Sequence, residues 1–137
     1  MTVLSFISMF IFMYAMVDIF GNVYANVNQF YMAGLMTAPM VLIELAVMGS
    51  MYKNAKANIA IAAVSLLALA GFFAAIRVQA AVTDAQFLRS MIPHHGGAIL
   101  MCTKTSIDNP DIKKLCAEII EGQQSEIARM KTILEAL

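Results

Sequence analysis

Long apolar stretches fill the first half of the chain, and shorter apolar-polar repeats fill the second. Three stretches, at about residues 2–20, 32–52 and 58–76, contain almost no charged side chain. An α-helix needs about 20 apolar residues to cross a bilayer, because each residue adds only about 1.5 Å. Each stretch is therefore predicted to be a transmembrane helix, and residues 1–77 are predicted to form a membrane domain.

The second half of the chain has the period of amphipathic helices, with apolar residues recurring every three or four positions. One helix is predicted over about 84–106 and another over 110–136. The turn between them carries Asn109 and Pro110, which are typical of an N-cap and of the first helical position. Residues 78–137 are therefore predicted to form an antiparallel helical hairpin.

Some positions of the first hairpin helix can be interpreted in two ways. Thr83 can cap the helix, or the third span can continue directly into it. Pro93 has no backbone N–H, so a kink or a restart of the helix is expected there. Gly96 and Gly97 either weaken the helix locally or let another backbone come close.

Folding the hairpin about its turn places residues of one helix opposite residues of the other. The expected neighbours are Cys102 with Cys116, His95 with Gln123, and Met91 with Glu126 and Ile127. On an oxidising side of the membrane the cysteines could form a disulfide, and buried thiols or metal ligands are the alternatives. Two helices cannot bury apolar surface on both sides, so the hairpin should pack on a second copy or on loops at the membrane surface.

The charged residues are concentrated in the second half of a chain that is 61% hydrophobic and has no net charge. That balance gives no argument for nucleic-acid binding. The first 76 residues contain only Asp18, Glu44, Lys53 and Lys56 as charged residues. The two lysines lie between the second and third spans, so the positive-inside rule predicts a cytoplasmic N-terminus and an extracytoplasmic hairpin. We therefore expect a protein of the bacterial inner membrane.

Two acidic residues, Asp18 and Glu44, lie inside predicted spans. An ionisable group within a bilayer is costly and is a functional candidate by default. The alternative for Glu44 is a protonated side chain that hydrogen-bonds within the helix packing.

Residues 91–102 read MIPHHGGAILMC and contain both histidines of the chain. Thioether sulfur and imidazole are ligands that suit Cu(I) and Ag(I). The candidate metal-site residues on the two hairpin helices are Met91, His94, His95, Met101, Gln123, Glu126 and Met130. The alternatives are methionines that fill the core, a histidine that caps a restarted helix and a histidine bonded to Gln123. No catalytic constellation is evident, so we do not expect an enzyme.

The same region resembles the domain-of-unknown-function family numbered 305. The first matching pattern is Phe87, Met91, His94, His95, Ala98, Ile99 and Met101, and the second is Gln123, Glu126, Ile127 and Met130. The upstream segment YMAGLMTAPMVLIELAVMGSMY is similar to the membrane-anchored branch of that family. The resemblance implies a ferritin-like helical bundle, and some members bind copper or silver in the periplasm.

The sequence thus predicts an all-α membrane protein with three transmembrane helices and an extracytoplasmic hairpin. Oligomerisation of the hairpin would complete a ferritin-like four-helix bundle. The leading functional hypothesis is binding of copper(I) or silver(I) for buffering, delivery or tolerance of the metal. The alternatives are a structural or interaction module, in which the histidines shape the helix and the oligomer interface, and a sensor of pH or redox state.

Overall fold

The computed structural model describes residues 1–49 and 51–137 and has five α-helices within that part of the chain. The helices are α1 (Thr2–Phe12), α2 (Val27–Met48), α3 (Ala55–Arg77), α4 (Asp84–Lys104) and α5 (Pro110–Ala136). Short 3₁₀ turns at Met13–Met16 and Phe20–Asn22 follow α1, and the described residues include no β-strand. The all-α prediction is confirmed. Residue 50, which the predicted second span includes, lies outside the described residues.

The chain divides into two compact units. The apolar unit comprises Met1–Met13 and Asn28–Ala81, and the hairpin unit comprises Tyr14–Val27 and Val82–Leu137. The division differs from the predicted boundary after residue 77, because residues 14–27 pack with the hairpin. We call residues 14–27 the docked segment.

Two helices of the apolar unit are long and apolar enough to cross a bilayer. Helix α2 has 22 residues and a mean hydropathy of 1.7, and α3 has 23 residues and a mean hydropathy of 2.6. The first predicted span differs, since the apolar helical region there covers only Thr2–Met16 and its α-helical part has 11 residues. The structure therefore has two helices of sufficient length where three were predicted.

Helix α3 ends at Arg77 and does not continue into α4, which settles the alternative left open by the sequence. Gln79 and Ala81 follow with φ angles of 51° and 55°. This left-handed conformation is rare for residues with a Cβ and cannot extend a right-handed helix. The Tyr31 hydroxyl donates a hydrogen bond to the Ala80 carbonyl at 2.8 Å and thereby fixes the turn within the apolar unit.

The hairpin helices begin at the predicted capping residues. Helix α5 starts at Pro110, and the side-chain oxygen of Asn109 accepts from the N–H groups of Asp111 and Ile112 at 2.8 and 3.3 Å. These bonds satisfy two donors that have no partner inside the helix. At the start of α4 the Thr83 hydroxyl accepts a backbone hydrogen bond in the same way.

A disulfide joins the two helices near the turn of the hairpin. Cys102 of α4 and Cys116 of α5 are bonded, with their Cα atoms 5.2 Å apart. That spacing lies within the usual range for a disulfide. The two cysteines are thus at the same level of the hairpin, where folding about the turn places them.

The core of the hairpin unit lies between α4, α5 and the docked segment. Ile92 is fully buried, and Ile99 and Ile127 are each 6% exposed. Tyr24 of the docked segment packs against these three side chains. The hairpin therefore buries one of its sides against its own chain, which was one of the two predicted arrangements.

Helix α4 runs through Pro93 without a restart. Proline has no N–H, so the carbonyl of Arg89, four residues earlier, loses its helical donor. The side-chain amide of Asn26 donates to that carbonyl at 3.4 Å. The docked segment thus satisfies the acceptor that the proline leaves free, and the expected N-cap role of His94 does not arise.

The glycine pair of α4 lets the docked segment approach the helix closely. A Cβ atom built on Gly96 would lie 2.5 Å from Oδ1 of Asp18, and one on Gly97 would lie 3.4 Å from the carbonyl oxygen of Met16. A side chain at Gly96 would therefore collide with the segment. Of the two predicted roles for the pair, close approach of another backbone is the one observed.

The packing against α4 also changes the interpretation of Asp18. Its carboxylate accepts a hydrogen bond from the side-chain amide of Asn22 at 2.7 Å, and Asn22 is only 3% exposed. Asp18 lies outside both helices that are long enough to span a bilayer. Its carboxylate belongs to the polar contact between the docked segment and α4, and its location within a membrane stays a prediction.

Candidate functional site

An open pocket lies along one side of the seam between α4 and α5. Its volume is about 230 Å³. Its lining residues are Phe87, Met91, His95, Glu126, Arg129, Met130 and Ile133. Four residues predicted for a metal site meet in this pocket, namely Met91, His95, Glu126 and Met130.

The imidazole of His95 is held through both ring nitrogens. Nδ1 lies 2.9 Å from the carbonyl oxygen of Met91, and Nε2 lies 2.7 Å from Oε2 of Glu126. A carbonyl oxygen can only accept, so Nδ1 carries a proton and donates it to Met91. This bond fixes the ring and directs Nε2 toward Glu126. Nε2 therefore faces a movable side chain, and it can bind a ligand only in its unprotonated form.

The two partners of this hydrogen bond differ strongly in exposure. The His95 side chain is 10% exposed, whereas the Glu126 side chain is 60% exposed. The carboxylate can therefore turn into water while the imidazole stays in place. Such an arrangement leaves the ring as a fixed ligand and makes Glu126 the movable wall of the pocket.

His95 was expected to face Gln123, and the structure pairs it with Glu126 instead. Side chains on a helix lean toward the N-terminus of that helix. His95 therefore leans toward the level of Met91, which lies opposite residues 126 and 127 in the antiparallel pair. Gln123 is half-buried, and its Oε1 is buried without a hydrogen-bond partner in the described part of the chain.

Two other candidates point away from the pocket. His94 is exposed, and the centroid of its ring is 6.1 Å from that of His95. Met101 is 54% exposed and does not line the pocket. Neighbouring residues on a helix point about 100° apart, so adjacent histidines do not converge on one point from a single helix.

Within residues 1–49 and 51–137, no group of three or more His, Cys, Asp and Glu side chains could hold a metal ion. A metal site in this part of the chain would need ligands of another type as well. The pocket supplies such ligands, because Met91 and Met130 line it together with His95 and Glu126.

Glu44 belongs to a separate pocket within the apolar unit. Helix α2 ends at Met48, so Glu44 lies near the C-terminal end of the helix. The hydroxyl of Tyr52 donates to its carboxylate at 3.2 Å. This hydrogen bond, together with the negative charge of Glu44, raises the pKa of Tyr52. Met1 and Asn58 also line this pocket of about 230 Å³.

Residues 44–134 match the family described as "Domain of unknown function (DUF305)". The chain belongs to this family. The DUF305 match includes both hairpin helices and begins inside α2.

A relative of this DUF305 protein occurs in Acanthamoeba polyphaga mimivirus, where it is called an uncharacterized protein. The two sequences are 36% identical over 118 residues, which is 84% of this chain and 75% of the relative. No solved structure matches the chain.

Sequence reasoning missed Phe87, Arg129 and Ile133 as lining residues, and it missed the docked segment. Phe87 lies four residues before Met91, and Ile133 lies three residues after Met130. Helical periodicity could therefore have placed both residues on the same faces as the candidate ligands. The signal for the docked segment was the presence of Asp18, Asn22 and Asn26 after an apolar stretch. Such polar residues suit hydrogen bonding to another backbone better than they suit lipid.

Proposed function

We propose that this DUF305 protein binds copper(I) or silver(I) in the α4–α5 pocket, for buffering, delivery or tolerance of the metal. The observation that carries the proposal is the meeting of one oriented imidazole, His95, with two thioethers, Met91 and Met130, in a single pocket. Binding is stoichiometric, and we assign no catalytic role to the pocket.

The donor set suits a soft monovalent ion. Thioether sulfur is a neutral, polarisable ligand that favours Cu(I), and imidazole binds copper in either oxidation state. A hydrogen bond from the second nitrogen commonly fixes the tautomer and orientation of a ligating histidine. The Nδ1 bond to the Met91 carbonyl fills that role here. Outward movement of the exposed Glu126 side chain, with release of the Nε2 proton to solvent, would free Nε2 for the metal.

We further propose that α2 and α3 anchor the protein in the bacterial inner membrane, with the hairpin on the extracytoplasmic side. The disulfide between Cys102 and Cys116 supports this side, since disulfides persist in oxidising compartments and are rare in the cytosol. Lys53 and Lys56 precede and open α3 and favour a cytoplasmic end there. Blocking of free thiols in intact cells, followed by mass spectrometry, should find the cysteines paired.

Competition titrations of purified full-length protein with Cu(I) and a chromophoric chelator test the metal site. Wild-type protein should bind one equivalent, and His95→Ala should weaken binding by about tenfold or more, because a ligand is lost. His94→Ala is the matched control, since the neighbouring ring is exposed and outside the pocket. Circular dichroism and an intact disulfide would show that each variant is folded.

A second matched pair separates the two hairpin methionines. Met130→Leu removes a sulfur from the pocket, whereas Met101→Leu removes one that is 54% exposed and outside it. Leucine conserves the volume, so packing changes little. Equal affinities for the wild type, Met130→Leu and His95→Ala would refute the proposed site.

A further inference from the structure

One face of α5 is largely exposed in the described part of the chain. Gly122, Glu126, Arg129 and Ile133 follow one another at intervals of four, three and four residues. This spacing places them on one side of the helix. Leu115, one heptad before Gly122, extends the same side and is 53% exposed. We call this set the α5 stripe.

The α5 stripe is flanked by further exposed apolar groups. Ile133 is 43% exposed, and Phe87 of α4, which shares the pocket with it, is 52% exposed. The docked segment covers another side of the hairpin, where Lys131 approaches Gly21 and Tyr24 packs on the core. The stripe is thus a largely exposed helix face that carries both apolar and charged residues, and its Glu126 also bonds His95 of α4.

Gly122 is the part of the stripe that a single chain does not explain. It lies in the middle of the 27-residue helix α5, where glycine is a poorer helix former than alanine. A Cβ built on Gly122 meets no atom within 4 Å. Gly96 and Gly34 differ, since a Cβ at either position would collide with Asp18 or with the ring of Phe72. The helix surface at Gly122 is therefore open in the described part of the chain.

The charges of the stripe favour a second copy of the same protein as the partner. Glu126 and Arg129 are one turn apart and carry opposite charges, and Glu118 is a further charged residue on the same side. An antiparallel pair of identical helices that crosses between these residues brings each glutamate opposite the arginine of the other copy. Ile133 and Gly122 lie equally far from this crossing point, on opposite sides of it. The same register therefore places Ile133 of each copy over Gly122 of the other. A parallel arrangement would place like charges together.

From this match we propose that two copies of this protein associate through the α5 stripe, in an antiparallel register that pairs Glu126 with Arg129 and Ile133 with Gly122. Two such contacts form in each dimer, as two-fold symmetry requires. Because Glu126 also bonds His95, the second copy places its guanidinium at the mouth of the α4–α5 pocket. The association does not depend on metal binding.

Charge exchange between copies tests the register. Full-length protein carrying two different affinity tags is co-expressed and purified in detergent, and co-purification of the second tag is measured. Wild-type copies should co-purify. Copies that all carry Glu126→Arg should not, nor should copies that all carry Arg129→Glu, because like charges then meet across the interface. The apparent dissociation constant should rise by about tenfold or more.

The decisive sample mixes the two variants. A Glu126→Arg copy offers two guanidinium groups and an Arg129→Glu copy offers two carboxylates, so the mixed pair should co-purify like the wild type. Failure of the mixture, with helicity and the disulfide intact in both variants, would overturn the proposal. Undiminished self-association of either single variant would overturn it as well.

Gly122→Leu provides an independent test, because it fills the space that Ile133 of the second copy occupies. It should abolish co-purification. Ala128→Leu is the matched control, since Ala128 is exposed on another side of α5 and its enlargement should change nothing. Association that survives Gly122→Leu would show that copies meet through another surface.

Discussion

Replacement of Gly96 by alanine is predicted to loosen the docked segment and to leave the α4–α5 pair intact. The new Cβ would lie 2.5 Å from Oδ1 of Asp18 and 3.3 Å from Cγ1 of Val17. Both distances are shorter than ordinary van der Waals contact. Either the segment or the Asp18 side chain must therefore move.

The size of the effect follows from three opposing contributions. An extra methyl group forced into a packed contact costs about 1–3 kcal/mol. Alanine recovers about 1 kcal/mol, because it is a better helix former than glycine. Rotation of Asp18 would relieve the collision but would break its 2.7 Å bond from Asn22, and a hydrogen bond to a charged group contributes about 1.5–3 kcal/mol. We expect docking to weaken by a net of about 1 kcal/mol.

Hydrogen exchange of the full-length protein measures this change directly, because amides in a locally opening segment report the free energy of opening. A loss of about 1 kcal/mol corresponds to about fivefold faster exchange, since about 1.4 kcal/mol is a factor of ten. The effect should be confined to the amides of residues 14–27. Those of α5 should exchange at the wild-type rate.

Gly97→Ala is the matched control for this experiment. Its Cβ would lie 3.4 Å from the Met16 carbonyl oxygen, which is an ordinary contact. Exchange in the docked segment should therefore remain at the wild-type rate. If Gly96→Ala also left that rate unchanged, the close approach of Asp18 to α4 would not be what requires a glycine at this position.

Three further substitutions test the hairpin unit by urea unfolding of the full-length protein. Replacing both Cys102 and Cys116 by serine should lower the free energy of unfolding by about 3 kcal/mol, because the disulfide closes a short loop. An unchanged midpoint would contradict this. Asn26→Ala should cost about 1 kcal/mol, because it removes the side-chain donor to the Arg89 carbonyl, and the cost should shrink in a Pro93→Ala background. Ile92→Ala should cost about 2–5 kcal/mol, since Ile92 is fully buried; a smaller loss would mean that the core closes over the cavity.

The hairpin was predictable because local signals and long-range geometry agree there. Asn109 and Pro110 specify the start of α5 through the backbone donors that a cap must satisfy. Once that turn is placed, the antiparallel fold brings Cys102 and Cys116 to one level, as the structure has them. No later tertiary contact had to be known for this inference.

The docked segment was not predictable from the same kind of pattern. Residues 2–20 are apolar on average, so Asp18 was counted as an exception within a span. Its role depends on a contact with Gly96, which lies far away in the sequence. Periodicity and composition describe one element at a time and carry no information on contacts between segments that are distant in the sequence.

The motif MIPHHGGAILMC combines several roles because the two covered sides of α4 meet different partners. Pro93 and Gly96 lie on the side of α4 that faces the docked segment. Pro93 leaves the Arg89 carbonyl free to accept from Asn26, and Gly96 leaves space for Asp18. His95 serves the side that faces α5, where Glu126 holds it. A substitution at Gly96 should therefore disturb the docked segment before the pocket, whereas one at His95 should disturb the pocket before the docked segment. Successive residues of a helix point about 100° apart, so residues that are close in the sequence can contact different neighbours.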